Sequence, residues 1–115
     1  MSVDTTAGFA FGWVVSPEEK EAMIEAYYAT TGNWDIEDCF IMINAYRSDT
    51  DYIFGTWVSY FPEPGRFRKF HLDEALMDFD KEAFFKEYIP MLRDAERSDI
   101  ALNIPAEFWA VHSIW

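Results

Sequence analysis

Between Gly8 and Val15 the chain alternates, with Phe9, Phe11, Trp13 and Val15 falling on one face and small or aliphatic residues on the other. A period of two predicts a strand. It stops at Ser16-Pro17-Glu18-Glu19, where Ser16 suits the helix cap, Pro17 the first helical position and Glu19 the reciprocal half of a capping box. The spacing predicts a helix from Pro17 to about Thr30, ending near Gly32. Met23, Ala26, Tyr27 and Thr30 share its apolar face, widened by Ile24 and Tyr28. Glu18, Glu21 and Glu25 recur at i, i+3 and i+7 on the wet side.

From Asp38 to Tyr46 both alternating faces are apolar, Cys39, Ile41, Ile43 and Ala45 against Phe40, Met42 and Tyr46, which predicts a central strand. Ser48-Asp49-Thr50-Asp51 reads as a turn, and Tyr52 to Phe61 as the next strand of a hairpin, with Gly55 marking a bulge or a close approach. After Pro62-Glu63-Pro64-Gly65, the basic run Arg66 to His71 suits an edge strand, where positive charge discourages further pairing.

Leu72 to Leu92 resembles one helix until its phases are counted. Leu72, Ala75, Leu76, Phe79 and Ala83 cluster on one side, while Phe84, Phe85, Tyr88 and Leu92 gather nearly opposite. A single straight helix would be apolar all round. The pattern instead predicts a helical turn near Asp73 to Met77, a break at Asp78-Phe79-Asp80, and a second helix from Lys81 capped by Asp80 and kinked or ended by Pro90. Asp94 to Asp99 reads as a solvated connection, and Ala106 to Trp115 as the last strand, with Phe108, Ala110, His112 and Ile114 alternating against Trp109, Val111, Ser113 and Trp115.

The order β-α-β-β-β-α-β predicts an α+β fold: an antiparallel sheet of four to five strands covered on one face by helices. If the basic segment is a loop, the order becomes β-α-β-β-α-β, the split-βαβ or ferredoxin-like alternative. No repeat or linker divides the chain, so residues 1–115 read as one domain.

Composition sharpens this picture. Of 115 residues, 50% are hydrophobic and 19% aromatic, too many for an acidic disordered tail, and enough for a core. The longest unbroken apolar run, Cys39 to Ile43, is far short of the roughly 20 residues that span a bilayer, so no membrane segment is expected. The first residues carry no basic region of a secretory leader, and a single Cys fits a reducing cytoplasm. A formal charge of −12 opposes direct nucleic-acid binding.

Candidate chemistry is sparse. Cys39, His71 and His112 have no metal-ligand or nucleophile–base spacing, so no metal or cofactor is expected. Cys39 reads as a small hydrophobe and His112 as a hydrogen-bonded strand residue. His71, beside Arg66, Arg68 and Lys69, reads as decoration of an edge strand, or as part of an anion-binding patch.

Two function classes remain. The first is an interaction protein, of inhibitor or immunity type, whose carboxylates Glu18, Glu21, Glu25, Glu74, Asp78 and Glu82 bind a basic protein partner. A nucleic-acid-handling protein is one such partner, because carboxylates at these spacings stand about 5–6 Å apart, close to the spacing of backbone phosphates. The second is a small enzyme or ligand-binding domain with an aromatic-lined pocket near His71, Trp109 and His112, within the chain or at a homodimer interface. The first is the expectation carried forward, and an exposed surplus of aromatic residues, such as Trp34, Trp109 and Trp115, would mark a partner surface or a hydrophobic pocket.

Overall fold

In the computed structural model, residues 5–43, 51–61 and 77–114 are described. Strand β1 (Thr5–Val15) leads into helix α1 (Pro17–Thr31), a 3-10 helix (Asp35–Cys39) and strand β2 (Phe40–Met42). Strand β3 (Tyr52–Phe61), helix α2 (Lys81–Asp94), short helix α3 (Ser98–Asn103) and strand β4 (Glu107–Ile114) follow. The sheet order is β2-β3-β1-β4, and every neighbouring pair is antiparallel. It follows that β1 runs parallel to β2, and β3 parallel to β4, each pair joined across a helix with a strand of the other pair between them. These are two interleaved βαβ units, so the described elements follow the split-βαβ pattern. The basic run from Arg66 to His71, the helical turn over 73–76 and the turn over 48–50 lie outside the described residues.

Helix α1 forms where its end signals place it. Ser16 accepts from the Glu19 N–H at 3.1 Å while the Glu19 carboxylate accepts from the Ser16 N–H at 3.1 Å, so both halves of the capping box are present. Gly32, at φ 77°, closes the other end and donates its N–H to Tyr28 O. Met23, Ile24 and Tyr27 are buried, while Tyr28 and Thr30 stay outside the covered stripe.

Strand β1 is central, and its two faces differ in kind. Phe11, Trp13 and Val15 point toward the helices and join Met23, Ile24, Tyr27, Ile36, Phe54, Phe84, Tyr88, Leu92 and Ile100 in the main core. The helices therefore cover one face of the sheet. On the other face, Ala10 forms a second cluster with Ile41, Ile53 and Val111, with Val14, Ile43, Trp57 and Trp109 packed against it. Gly12 faces Gly55 in the register between β1 and β3. A Cβ on Gly12 would fall 2.8 Å from Gly55 Cα and overlap the Phe54 carbonyl, and one on Gly55 would meet Gly12 Cα at the same distance and overlap the Phe11 carbonyl. Gly55 is thus a close approach. The bulge sits farther along, between Phe9 and Ala10, where the register skips a residue of β3.

Other expectations are corrected. The strand expected over Asp38–Tyr46 is β2, Phe40–Met42, and it lies at the sheet edge, because β3 pairs with both β2 and β1. Phe40 packs against the main core on one side and Ile41 joins the second cluster on the other, while Met42 is exposed. Cys39 belongs to the 3-10 helix rather than to a strand. Pro90 lies inside α2 without ending it. The N–H it lacks would have bonded on the exposed side of the helix, while Tyr88 and Leu92, on either side of it, are buried. Asp94–Asp99 is more than a solvated connection. Glu96 turns the chain at φ 60° and Arg97 N–H reaches Leu92 O at 2.8 Å, so α2 ends in a Schellman motif, and α3 then buries Ile100 completely.

The expected break before α2 is present. Met77 and Asp78 are helical, Phe79 and Asp80 are not, and Asp80 caps α2 by accepting from the Ala83 N–H at 3.0 Å. Replacing Asp80 by Ala should cost about 1 kcal/mol in urea unfolding, while Asp78→Ala, at an exposed site, should stay within about 0.5 kcal/mol of the parent. Equal losses would mean that the cap does not start the helix. Gly12→Ala should be the costlier change, at about 3 kcal/mol or more, because the blocking atoms are backbone of the paired strand and have no rotamer to retreat into. Wild-type stability in Gly12→Ala would refute the close approach.

Candidate functional site

Helix α1 presents two chemically opposite sides. Its buried stripe is centred between Met23 and Tyr27, and Glu18, Glu21 and Glu25 lie on the far side, all exposed. None of the three has a hydrogen bond or ion pair among the described residues. Lys20, the one cation of the helix, points away from them and places its ammonium 4.3 Å from the Tyr52 ring centroid. Farther along the chain, Asp35, Glu37 and Asp38 on the 3-10 helix are also exposed. Residues 17–39 carry seven carboxylates against Lys20, six net negative charges and half of the chain's −12.

Glu19 is the exception. Its carboxylate accepts from the Ser16 N–H and takes a 2.9 Å ion pair from Arg97, which also holds Asp99 at 3.0 Å. The Ser16 backbone bond, aided by Arg97, holds the Glu19 carboxyl below its ordinary range.

Asp78 and Glu82 lie on another part of the chain, around the start of α2. Glu19, at the start of α1, meets Arg97 just past the end of α2, whereas Asp78 and Glu82 are exposed at the opposite end of α2, about 18 Å of helix away. Helix α2 itself balances Lys81, Lys86 and Arg93 against Glu82, Glu87 and Asp94. Glu74 lies outside the described residues.

A groove of about 500 Å³ opens between β3 and the N-terminal half of α2. Val58, Phe79 and Phe84 supply its apolar base, Thr56 and Tyr88 its hydroxyls, and Asp78, Asp80 and Glu87 its rim. Two of these groups are already committed, since Asp80 caps α2 and the Tyr88 hydroxyl donates to Gly55 O at 3.1 Å. Burial pushes the Tyr88 hydroxyl well above its usual range, so it remains protonated and serves as a donor. The described lining does not include Trp109, which packs on the opposite face of the sheet with its indole Nε1 buried and without a hydrogen-bond partner among the described residues. His71 lies outside the described residues, and of His112 only the backbone, in β4, is described.

Cys39 is half-buried, with Sγ 3.9 Å from Met91 Sδ, and desolvation pushes its thiol up, the setting of a packing residue. No group of three or more potential metal ligands gathers among the described residues. No described helix is long and apolar enough to cross a membrane. The feature that sequence reasoning passed over is a ring pair: Tyr28 and Trp34 stack with centroids 4.1 Å apart and planes at 11°, yet are 44% and 51% exposed. Its signal was Tyr28 falling ten residues after Glu18, in phase with the acidic stripe rather than the apolar one.

The Glu19 clamp predicts a pH dependence. A carboxyl whose folded-state pKa is lowered adds stability that is fully present above its ordinary value of 4.5 and is lost as pH falls through the lowered native value. Thermal melts of Glu19→Gln should therefore show a loss of about 0.5 kcal/mol or less at neutral pH, small because the pair is partly exposed and screened, and the loss should close in acid. A pH-independent difference would count against the charged clamp. Comparison with protein-family models, curated proteins and solved structures finds no match to this chain.

Proposed function

We propose that this chain is an interaction protein whose acidic surface, the outer face of α1 continued by the 3-10 helix, binds the basic surface of a protein partner. The observation that carries the reading is the contrast within one helix. Glu19 is paired with Arg97, while Glu18, Glu21 and Glu25 around it have no cation among the described residues, and Lys20 is spent on an aromatic ring. Like charges in a row repel more strongly as solvent is excluded, so a contact over this face favours a partner that brings positive charge. Neighbouring carboxylates on such a face stand about 5–6 Å apart, which suits it to a surface that otherwise binds phosphates, as in an inhibitor covering a nucleic-acid site. Asp78 and Glu82, at the far end of α2, are not part of this face.

The test is charge reversal of the trio, Glu18→Lys, Glu21→Lys and Glu25→Lys together, with a partner recovered from the native cytosol at low salt. For the parent, association should slow steeply between about 10 and 150 mM NaCl, as the screening length falls from about 30 to 8 Å. The triple variant should associate at least about tenfold more slowly with a flatter salt dependence and a nearly unchanged dissociation rate, because steering charges act on encounter. DNA should compete if the partner handles nucleic acid. Unaltered association with every recovered partner would defeat the proposal, as would a partner that engages only the groove beside Thr56 and Tyr88.

A further inference from the structure

We infer that the exposed Tyr28–Trp34 pair is the docking point for an arginine side chain, carried on a short extended basic segment of the partner. This rests on the reading of the acidic face given above and adds to it the residue that the partner must contribute.

Position is the first argument. Glu18, Glu21, Glu25 and Tyr28 follow at i, i+3, i+7 and i+10, an arc of about 80° on the outer side of α1. The acidic stripe therefore runs directly into an exposed ring, against which Trp34 stacks. Beyond Trp34 the chain turns acidic again at Asp35, Glu37 and Asp38. An aromatic platform with carboxylates along its approach fits a cation with a flat, weakly hydrated face, which is the guanidinium group. From Glu18 to Tyr28 the helix rises about 15 Å, the length of four to five extended residues. A segment with basic residues at alternate positions can meet the stripe with some side chains and the platform with another.

Pre-organisation is the second argument. The turn beneath the rings is fixed without them: Gly32 N–H donates to Tyr28 O at 2.8 Å, Thr31 Oγ1 to Tyr27 O at 2.7 Å, Asp35 N–H to Asn33 Oδ1 at 3.0 Å, and Glu37 N–H to Trp34 O at 2.9 Å. A rigid base spares a ligand the ordering of its own platform. The molecule already uses the same contact internally, with Lys20 over Tyr52 and Lys81 over Phe108, whereas no cation lies over Tyr28 or Trp34 among the described residues.

The experiment is a fluorescence-anisotropy titration of the whole chain with two labelled pentapeptides, Arg-Gly-Arg-Gly-Arg and Lys-Gly-Lys-Gly-Lys, at about 10 mM NaCl. The arginine peptide should bind about three- to fivefold tighter. That preference should vanish in both Trp34→Ala and Tyr28→Ala, whose folding is checked by thermal melts and whose side chains lie outside the core. The triple change Glu18→Gln, Glu21→Gln and Glu25→Gln should weaken both peptides alike, by about tenfold or more, and keep their ratio. Equal binding of the two peptides, or a preference that survives both ring variants, overturns the arginine dock; the acidic-face reading still stands if the triple variant weakens both. Binding of neither peptide, or binding indifferent to the triple change, overturns both proposals.

Discussion

The structure hangs on Phe11. Its ring lies between 4.8 and 5.9 Å, centroid to centroid, from those of Phe79, Phe84, Phe85 and Phe108, so one side chain of the central strand touches the cap region of α2, the helix itself and the last strand. Trp13, two residues on, extends the contact to Phe54 and Phe84 and donates its indole N–H to Ile104 O at 3.0 Å. Rings of this size on one face of β1 fill the space between sheet and helices. The opposite face of the same strand, with Gly8, Ala10 and Gly12, is correspondingly thin, and there β1 and β3 come close enough that neither Gly12 nor Gly55 tolerates a Cβ. Bulk on one side and its absence on the other are the same alternation seen twice.

A similar division of faces runs along α1. The inner side of α1 is held by Met23, Ile24 and Tyr27, and its start by the Ser16–Glu19–Arg97 arrangement. The outer side contributes little to either, which leaves its carboxylates and the Tyr28–Trp34 rings free to be selected for something else. Helix α2 shows the contrast, because its charges balance and its polar end groups are consumed in capping and in the bond from Tyr88 to Gly55.

Features that depend on adjacent residues were legible in the chain. The capping box at Ser16, the left-handed stop at Gly32, the cap at Asp80 and the bounds of β3 each follow from side chains within a few positions. What was hidden depends on partners distant in sequence. An apolar run such as Phe40–Met42 does not say which strands pair with it, so an edge strand whose Phe40 and Ile41 pack into the two clusters reads as a central one. The end of α2 was hidden because Glu96 occupies the left-handed position where glycine is the usual signal, and with it went α3. At the surface, the acidic stripe of α1 was plain from its spacing. The ring pair was not, since nothing local says that Trp34 returns to stack on Tyr28, nor that Asp78 and Glu82 end up far from Glu18.

The central place of β1 also has a temporal side. Its residues precede those of both its neighbours: β3 comes some forty residues on, and β4, which pairs Gly12 with Glu107 and Ala7 with His112, close to a hundred. On a ribosome, Phe11 must therefore emerge and wait for the rings that cover it, those of Phe84 and Phe108, about seventy to a hundred residues later. Contacts of such sequence separation slow folding, because chain closure precedes any gain from pairing. The negative charge of α1 beside that strand opposes contact between incomplete copies, because like-charged chains repel one another.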